Sequence, residues 1–147
     1  MMFIEKYKVI QIISPKTTNE GIESRYVNLK NAVNAVVIVN LTQAAAHETQ
    51  ISIYQAKDTQ GTDSKALISS VPVWANENTT ADTLLKTDGA GYTVEETAGN
   101  KQIVFQIDPA KLDINEGFTC IGIKIGASSQ AANFASADVI IDSRYSS

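Results

Sequence analysis

The segment Lys101–Ala127, KQIVFQIDPAKLDINEGFTCIGIKIGA, constrains the fold more than any other part of the sequence. A period of two is typical of a pleated strand, whose successive side chains point to opposite faces. Both arms of the segment show this period, because their apolar residues alternate with others at Ile103, Phe105, Ile107, Ile121, Ile123 and Ile125. Burial stabilises each such side chain by about 1.5–3 kcal/mol, so we expect two strands that face a core.

The dipeptide Asp108-Pro109 lies between the two arms and predicts where the first strand ends. Proline has no backbone N–H for a strand ladder, and its ring fixes φ. Ala110–Leu112 then fits a single helical turn, and Asn115-Glu116-Gly117 fits the turn that leads into the second arm. The segment therefore predicts a strand, a tight corner and another strand.

Short apolar segments separated by turn-forming residues predict further strands along the chain. Leu84–Thr87 fits either a short strand or the end of a helical turn. Ser14–Ser24 is predicted to be an exposed loop, Lys57–Ser64 a turn cluster and Ser128–Ser136 a flexible linker. The other predicted strands are Met1–Ile13, Tyr26–Leu29, Ala35–Leu41, Gln50–Ala56, Ala66–Ala75, Tyr92–Val94 and Ala137–Ile141.

This arrangement predicts an all-β fold, an antiparallel β-sandwich or jelly-roll-like single domain with short helical turns. A chain of 147 residues is long enough to bury one core without disulfides. We expect one structural domain overall, in which residues 1–20 form an N-terminal strand or arm and a loop, and residues 21–147 form the sandwich.

The charge balance and the distribution of apolar residues exclude some classes of partner. A formal net charge of −4 gives no basic surface for displacing phosphate counterions, so we expect no nucleic-acid partner. Glu5, Lys6 and Lys8 interrupt any apolar core of a signal peptide. The longest apolar run, Ala35–Val39, is too short to cross a bilayer, so we expect no membrane partner.

Residues able to carry out chemistry are few. Cys120 is the single cysteine and lies in an apolar strand, which favours a small buried hydrophobe over a reactive thiol. His47 is the single histidine, so it alone could activate Cys120. Asp58 and Asp63 flank Gly61 without the acidic ladder of a calcium loop. We expect no enzyme, no catalytic, cofactor-binding or metal-binding residues, and no cofactor.

Three aromatic residues, Trp74, Tyr54 and Tyr92, lie in predicted strands. They could form a platform on which sugars stack, as in a carbohydrate-binding surface module. Aromatic residues in strands more often pack within a core or along a sheet edge. The sequence leaves both interpretations open and favours packing.

The order of several segments resembles small β-rich proteins encoded beside the major capsid gene in tailed bacteriophages. The similarity extends from about Arg25 to Tyr145 and includes YVNLKN, AVVIVNL, VPVWAN and GFTCIGIKIGAS. Its most specific parts are ISIYQAKDTQGTDSKAL and the IDPAKLD corner. The resemblance implies a virion structural protein, namely a head decoration (auxiliary capsid) protein, and brings no catalytic residues with it.

The resemblance also implies a partner and a location. The partner would be the major capsid protein, and the chain would form a homo-oligomer, with a trimer as the favoured state. The chain would lie on the capsid surface of the virion, after a stay in the host cytoplasm during assembly. A head–tail connector or a tail structural protein is the alternative virion position. We place the possible interface at Phe3, Ile4, Tyr7, Phe134 and Tyr145, and packing within the chain's own domain is the alternative for each.

Overall fold

The computed structural model describes residues 6–143, which form two antiparallel sheets joined by loops and two short 3-10 turns. The prediction of an all-β sandwich with short helical turns is confirmed. The 3-10 turns are Pro109–Lys111 and Ile114–Glu116. The strands are β1 Tyr7–Thr17, β2 Ile22–Glu23, β3 Val27–Asn28, β4 Ala32–Gln43, β5 Thr49–Ala56, β6 Lys65–Ala66, β7 Val71–Asn76, β8 Leu85–Gly89, β9 Gly91–Val94, β10 Gly99–Ile107, β11 Cys120–Ile125 and β12 Phe134–Ser143.

The two sheets differ in how they are built. Sheet A has the strand order β1-β12-β4-β10-β7-β8. In sheet B, β11 and β5 pair with each other at the centre. Each of them also pairs, along its opposite edge, with two short strands that follow one another. On β11 these are β2 and β3, and on β5 they are β9 and β6. Sheet B therefore has edges made of short pieces, which lowers the risk of unwanted pairing with other chains.

The core lies between the sheets and comes from one parity of each central strand. In sheet A, Val37 and Phe105 point inward, and in sheet B, Ile53 and Ile123 do so, all at 0% exposure. Alternation along a strand gives this pattern directly, because successive side chains point to opposite faces. The residues of the other parity form the two outer faces of the sandwich.

The predicted corner carries the chain from one sheet to the other. β10 belongs to sheet A and β11 to sheet B, and the two 3-10 turns lie between them. The Asp108 carboxylate accepts a hydrogen bond of 3.0 Å from the Ala110 N–H, which starts the first turn. Gly117 ends the second turn at φ 90, a left-handed conformation that glycine adopts without strain. The strand–corner–strand prediction is thus confirmed.

The prediction of an exposed loop at residues 14–24 is wrong over much of its length. β1 continues to Thr17, because Lys16 pairs with Ala135 and Thr17 with Phe134 after two shifts of register. Ile22 then begins β2 beside Ile125. Only the turn closed by the hydrogen bond from Gly21 N to Thr18 O, at 3.0 Å, interrupts the strands.

The prediction of a flexible linker at residues 128–136 is also wrong. Phe134 already belongs to β12, and Ser128 and Asn133 are buried at 0% and 1% exposure. The Asn133 side chain exchanges two hydrogen bonds with the backbone of Ala45, and Thr18 donates to the Ser128 hydroxyl at 2.8 Å. Buried polar groups need such partners, so this polar stretch is a fixed loop at one end of the sandwich.

Two predicted strands differ from the structure because of strand pairing. β4 runs from Ala32 to Gln43, so it begins before the predicted start at Ala35 and includes Asn34, which pairs with Asp142 of β12. The predicted strand Ala66–Ala75 is wrong as one strand, because it is divided between β6 in sheet B and β7 in sheet A. Of the two options for residues 84–87, the strand is confirmed: β8 starts at Leu85 and pairs with β7 up to Gly89. Among the described residues, no helix has the length and apolar character needed to span a bilayer.

Candidate interaction surfaces

The outer face of sheet A carries a contiguous apolar band. Val9 on β1 lies opposite Ile140 on β12, which in turn lies opposite Val36 on β4. In the neighbouring row, Ile38 lies opposite Val104 on β10, and Val104 lies opposite Trp74 on β7. Residues paired in this way have Cβ atoms about 4.5–5.5 Å apart, so the two rows join. The apolar band is defined as Val9, Val36, Ile38, Trp74, Val104 and Ile140.

Polar side chains surround the band. Gln102 donates a hydrogen bond of 3.0 Å to Asn40 on one side, and Lys86 places its Nζ 5.9 Å from the centre of the Trp74 ring on another. Val9 is 49% exposed, and the other members of the band are half-buried by one another. An apolar centre with a polar rim is typical of a protein–protein interface.

The outer face of sheet B is covered by its own chain. Tyr26, between β2 and β3, lies across this face and is only 5% exposed. Its ring rests on Gly122 of β11, where an added Cβ would come within 2.9 Å of the ring. Gly61, in the turn between β5 and β6, also lies against the ring, and a Cβ added there would lie 3.0 Å from a ring carbon. Tyr26, Ala56 and Cys120 form a small buried cluster outside the main core.

The Tyr26 hydroxyl is fixed at the margin of this cluster. It donates a hydrogen bond of 2.8 Å to the Glu23 carboxylate. Burial, together with this carboxylate, raises the pKa of Tyr26 to about 12. Lys124 lies 3.8 Å from the same carboxylate and 4.2 Å from the centre of the Tyr54 ring. The rest of the face has two shallow depressions, both lined by Gln50 and Ser52, and the second also by Thr93.

The interpretation that Trp74, Tyr54 and Tyr92 form one platform for sugars is wrong. Trp74 lies on the outer face of sheet A, whereas Tyr54 lies on the outer face of sheet B. Tyr92 points inward at the edge and donates to Glu77 at 2.8 Å. The sandwich therefore separates the three rings, because strand parity and sheet membership place each on a different side.

A buried ion pair lies where β10 begins, and the sequence analysis did not predict it. Lys101 is 1% exposed, and its Nζ lies 3.3 Å from Glu77 Oε1. The same Nζ donates to Glu95 O at 2.8 Å and Thr97 Oγ1 at 3.0 Å. Burial and Glu77 together raise the pKa of Tyr92. The alternation of side chains along β10 is the sequence signal for the burial of Lys101, since Lys101 shares the inward positions of this strand with Ile103.

The two residues considered for nucleophilic chemistry lie far apart. Cys120 pairs with Ala56 at one end of β5, and His47 precedes Thr49 at the other end. Seven residues of strand separate these ends by about 24 Å. Burial raises the pKa of Cys120, which keeps the thiol protonated. Within residues 6–143, no group of three or more His, Cys, Asp or Glu could hold a metal ion.

The interface residues predicted from the sequence are not brought together. Tyr7 and Phe134 lie on the outer face of sheet A at opposite ends of β12, since Tyr7 pairs with Asp142. Eight residues separate Phe134 from Asp142, a distance of about 27 Å. Phe3, Ile4 and Tyr145 lie outside the described residues.

The sequence contains a signal for the band. Residues 36–39 are apolar at both parities, so both faces of β4 are apolar there. One face covers the core, and the other supplies Val36 and Ile38 to the band. A strand with this pattern in an antiparallel sheet indicates a second buried face or an interface.

Comparisons with known proteins report on the fold. No protein-family model matches the chain, and a search of curated proteins finds no match. Among solved structures, the SPBc2 prophage-derived protein YomS superposes with a TM-score of 0.51 at 11% identity over 96% of each chain. The enzymatically active domain of bacteriophage CBA120 tailspike protein 4 gives a TM-score of 0.43 at 13% identity, over 92% of this chain and 19% of that one. A CBM4 structure gives 0.37 at 15% identity, over 95% and 70%. The chain thus shares its fold with the prophage-derived protein YomS over 96% of its length.

Proposed function

We propose that the chain is a structural protein of a tailed-bacteriophage virion that decorates the capsid by binding the major capsid protein lattice. The observation that carries this proposal is the apolar band, which lies on the outer face of sheet A with a polar rim around it. The sequence resemblance supports the same role. The shared fold with a prophage-derived protein supports a phage origin.

The physical properties of the chain suit binding at many equivalent sites. One decoration protein bridging neighbouring capsomers gains affinity through multivalency, so each contact need not be strong. The net charge of −4 favours solubility before the lattice is available. β1 and β8 are the two edge strands of sheet A, and strand edges can pair with further copies to form a homo-oligomer. A cyclic trimer remains the favoured state.

The test is co-sedimentation of the purified protein with undecorated phage heads. We expect the natural sequence to sediment with the heads and the Ile38→Lys variant to stay in the supernatant, since a charge in the band would be desolvated on binding. Thr93→Lys is the matched control, because Thr93 is exposed on the outer face of sheet B. Protein that never sediments, or two variants that bind equally, would contradict the proposal.

The same preparation distinguishes the alternative virion positions. Hundreds of copies per virion would place the protein on the shell. Six or twelve copies would place it in the head–tail connector or the tail. Trp74 gives an internal probe, because it is the only tryptophan and belongs to the band. Binding through the band should shield its fluorescence from acrylamide quenching.

A further inference from the structure

The edge of sheet A that β8 forms is open. β8 pairs with β7 along one side and is the last strand of its sheet. Its first four residues are exposed, and its pairing with β7 runs from Leu85 to Gly89 without a shift of register. An edge strand directs every second N–H and C=O away from its sheet, so β8 presents backbone groups that another strand can bind.

The opposite edge of sheet A, formed by β1, is obstructed. Arg25 takes two of its carbonyl groups, because the Arg25 N–H donates to Ile12 O at 3.1 Å and the guanidinium donates to Gln11 O at 3.4 Å. Pro15 removes an N–H from the strand, and two register shifts interrupt its pairing with β12. Prolines and bulges of this kind protect a strand edge from other chains. β8 contains neither, so it is the edge better suited to a partner strand.

The charges of β8 are arranged symmetrically about its centre. Lys86 and Asp88 flank Thr87, the middle residue of the strand. Lys86 lies opposite Trp74 and Asp88 lies opposite Pro72, so both charged residues are on the outer face of sheet A. Within the described part of the chain, neither of them forms a salt bridge. Both charges are therefore available to a second molecule.

Two β8 strands complement each other when they pair antiparallel about a two-fold axis at Thr87. Lys86 then lies opposite Asp88 of the second copy, and Asp88 lies opposite its Lys86. Opposed residues have Cβ atoms about 4.5–5.5 Å apart, so two pairs of opposite charge form. Leu85, which is 68% exposed, lies opposite Gly89, where no side chain takes up space. We propose that β8 binds β8 of a second copy of this chain in this register.

The other two-fold registers are disfavoured by the same residues. An axis at Lys86 would set two lysines opposite each other, and an axis at Asp88 would set two aspartates opposite each other. Like charges in these positions are destabilising. An axis midway between two residues would set outward side chains opposite inward ones, because successive side chains point to opposite faces. The sequence of β8 therefore specifies one register for its own pairing.

The pairing continues sheet A from one copy into the next. A two-fold axis perpendicular to the sheet keeps the apolar bands of both copies on the same face, so both can bind one surface at once. The contact also permits a trimer, since a three-fold contact through another surface can coexist with a two-fold contact in a dihedral assembly. One strand of five residues makes a small interface, so we expect weak association in solution.

Exchange of the two charges tests the proposal by sedimentation equilibrium. The natural sequence should show a reversible doubling of mass between about 1 μM and about 1 mM. Lys86→Asp and Asp88→Lys each set like charges opposite each other, so each should raise the dissociation constant about tenfold or more. The double variant Lys86→Asp/Asp88→Lys should restore the natural value. An equimolar mixture of the two single variants should associate more tightly than either variant alone, because all its charge pairs are again opposite.

Disulfide trapping tests the register in the full-length protein. Thr87→Cys should form an intermolecular disulfide about tenfold faster than Thr93→Cys, since a disulfide needs Cα atoms about 4.4–6.8 Å apart and residues opposed at the axis meet this limit. Thr93 is a matched control because it is also an exposed threonine of a short strand. Cys120 is 0% exposed and does not compete. Mass spectrometry identifies the linked peptides.

Three results would overturn the proposal. The first is a constant mass over the whole range of concentrations. The second is a double charge variant that associates no better than the single variants. The third is equal trapping of Thr87→Cys and Thr93→Cys. Phage heads are absent from these experiments, so the outcome is independent of the test for capsid binding.

Discussion

The two outer faces of the sandwich differ in what covers them. On sheet B, Tyr26 lies over Gly122 and packs with Cys120 in one buried cluster. On sheet A, the apolar band from Val9 to Trp74 has no comparable cover among residues 6–143. Both faces come from antiparallel strands of the same domain, so the sheet architecture alone does not explain the difference.

The side chains that point outward explain it. Sheet B places glycine at position 122, and the turn between β5 and β6 places glycine at position 61, which leaves room for a ring between them. Sheet A has β-branched side chains at Val36, Ile38 and Val104 on its outer face, in place of the glycines that make room for a ring on sheet B. The covered face contributes to stability, and we expect the open face to contribute to binding.

Truncation of Tyr26 should break the covered face. Tyr26→Ala should lower the free energy of unfolding by about 3 kcal/mol, because it removes a buried aromatic ring and leaves a cavity. It should also expose Cys120, which is 0% exposed with the ring in place. Denaturant unfolding measures the first effect, and the rate of reaction with a thiol reagent measures the second.

The matched substitution on the open face is Trp74→Ala. Trp74 is half-buried, so its truncation should lower the free energy of unfolding clearly less than the truncation of Tyr26 does. It should also leave the reactivity of Cys120 unchanged. If the two truncations lower the free energy of unfolding equally, then the two faces do not differ in their contribution to stability. Unchanged thiol reactivity in Tyr26→Ala would show that the ring is not the cover of Cys120.

Addition of one carbon at Gly122 should separate Tyr26 from its support. An alanine Cβ there would lie 2.9 Å from both the Tyr26 ring and the Ser24 hydroxyl, too close without movement. Overpacking of this kind costs about 1–3 kcal/mol. Gly126→Ala is the control, because its added Cβ would lie 3.7 Å from Gln50, an ordinary contact. Urea unfolding of both variants compares them, and equal losses would contradict the close packing of the ring.

The raised pKa of Tyr26 predicts a pH dependence of the free energy of unfolding, part of which comes from the covered face. Burial and Glu23 raise it from 10.0 to about 12 in the folded chain. The unfolded chain therefore loses this proton first, so the contribution to stability is full below pH 10 and is lost as the pH rises through 12. Tyr26→Phe should make the stability curve flatter in this range.

Spectrophotometric titration of the phenolate checks the same prediction directly. The pKa of Tyr92 is raised as well, so the titration uses a Tyr92→Phe background. In this background a tyrosine should ionise near pH 12, and the further change Tyr26→Phe should remove that step. A late step that survives in the double variant would assign it to another tyrosine.

The sequence predicts those parts of the fold that depend on neighbouring residues. It does not predict the parts that depend on pairing between distant residues. The alternation in β10 and β11 and the Asp108-Pro109 corner depend on neighbours in sequence, and they were predicted correctly. Ser128 and Asn133 are polar and look like linker residues, but they are buried by contacts with Thr18 and Ala45 more than 80 positions away. Sequence pattern does not report such contacts.

The candidate surfaces follow the same division. Parity within β4 indicates that Val36 and Ile38 face away from the core, so part of the band was accessible from the sequence. The alignment of Val104 with Ile38 and Trp74 depends on the register of three strands, and the sequence pattern does not predict that register. The cover on sheet B was equally hidden, because Tyr26 and Gly122 meet only in the folded chain.

The smallest change in stability should come from the centre of the open face. Val104→Thr keeps a β-branched side chain that suits a strand, and Val104 is only half-buried, so the free energy of unfolding should change by about 0.5 kcal/mol or less. The same change places a hydroxyl between Ile38 and Trp74, where binding would desolvate it without a partner. We therefore expect weaker co-sedimentation with phage heads and nearly unchanged urea unfolding. Thr93→Val makes the reverse exchange on sheet B and should leave binding unchanged. A loss of stability above about 2 kcal/mol for Val104→Thr would place this face in a buried core, and unchanged binding would assign the capsid contact to another surface.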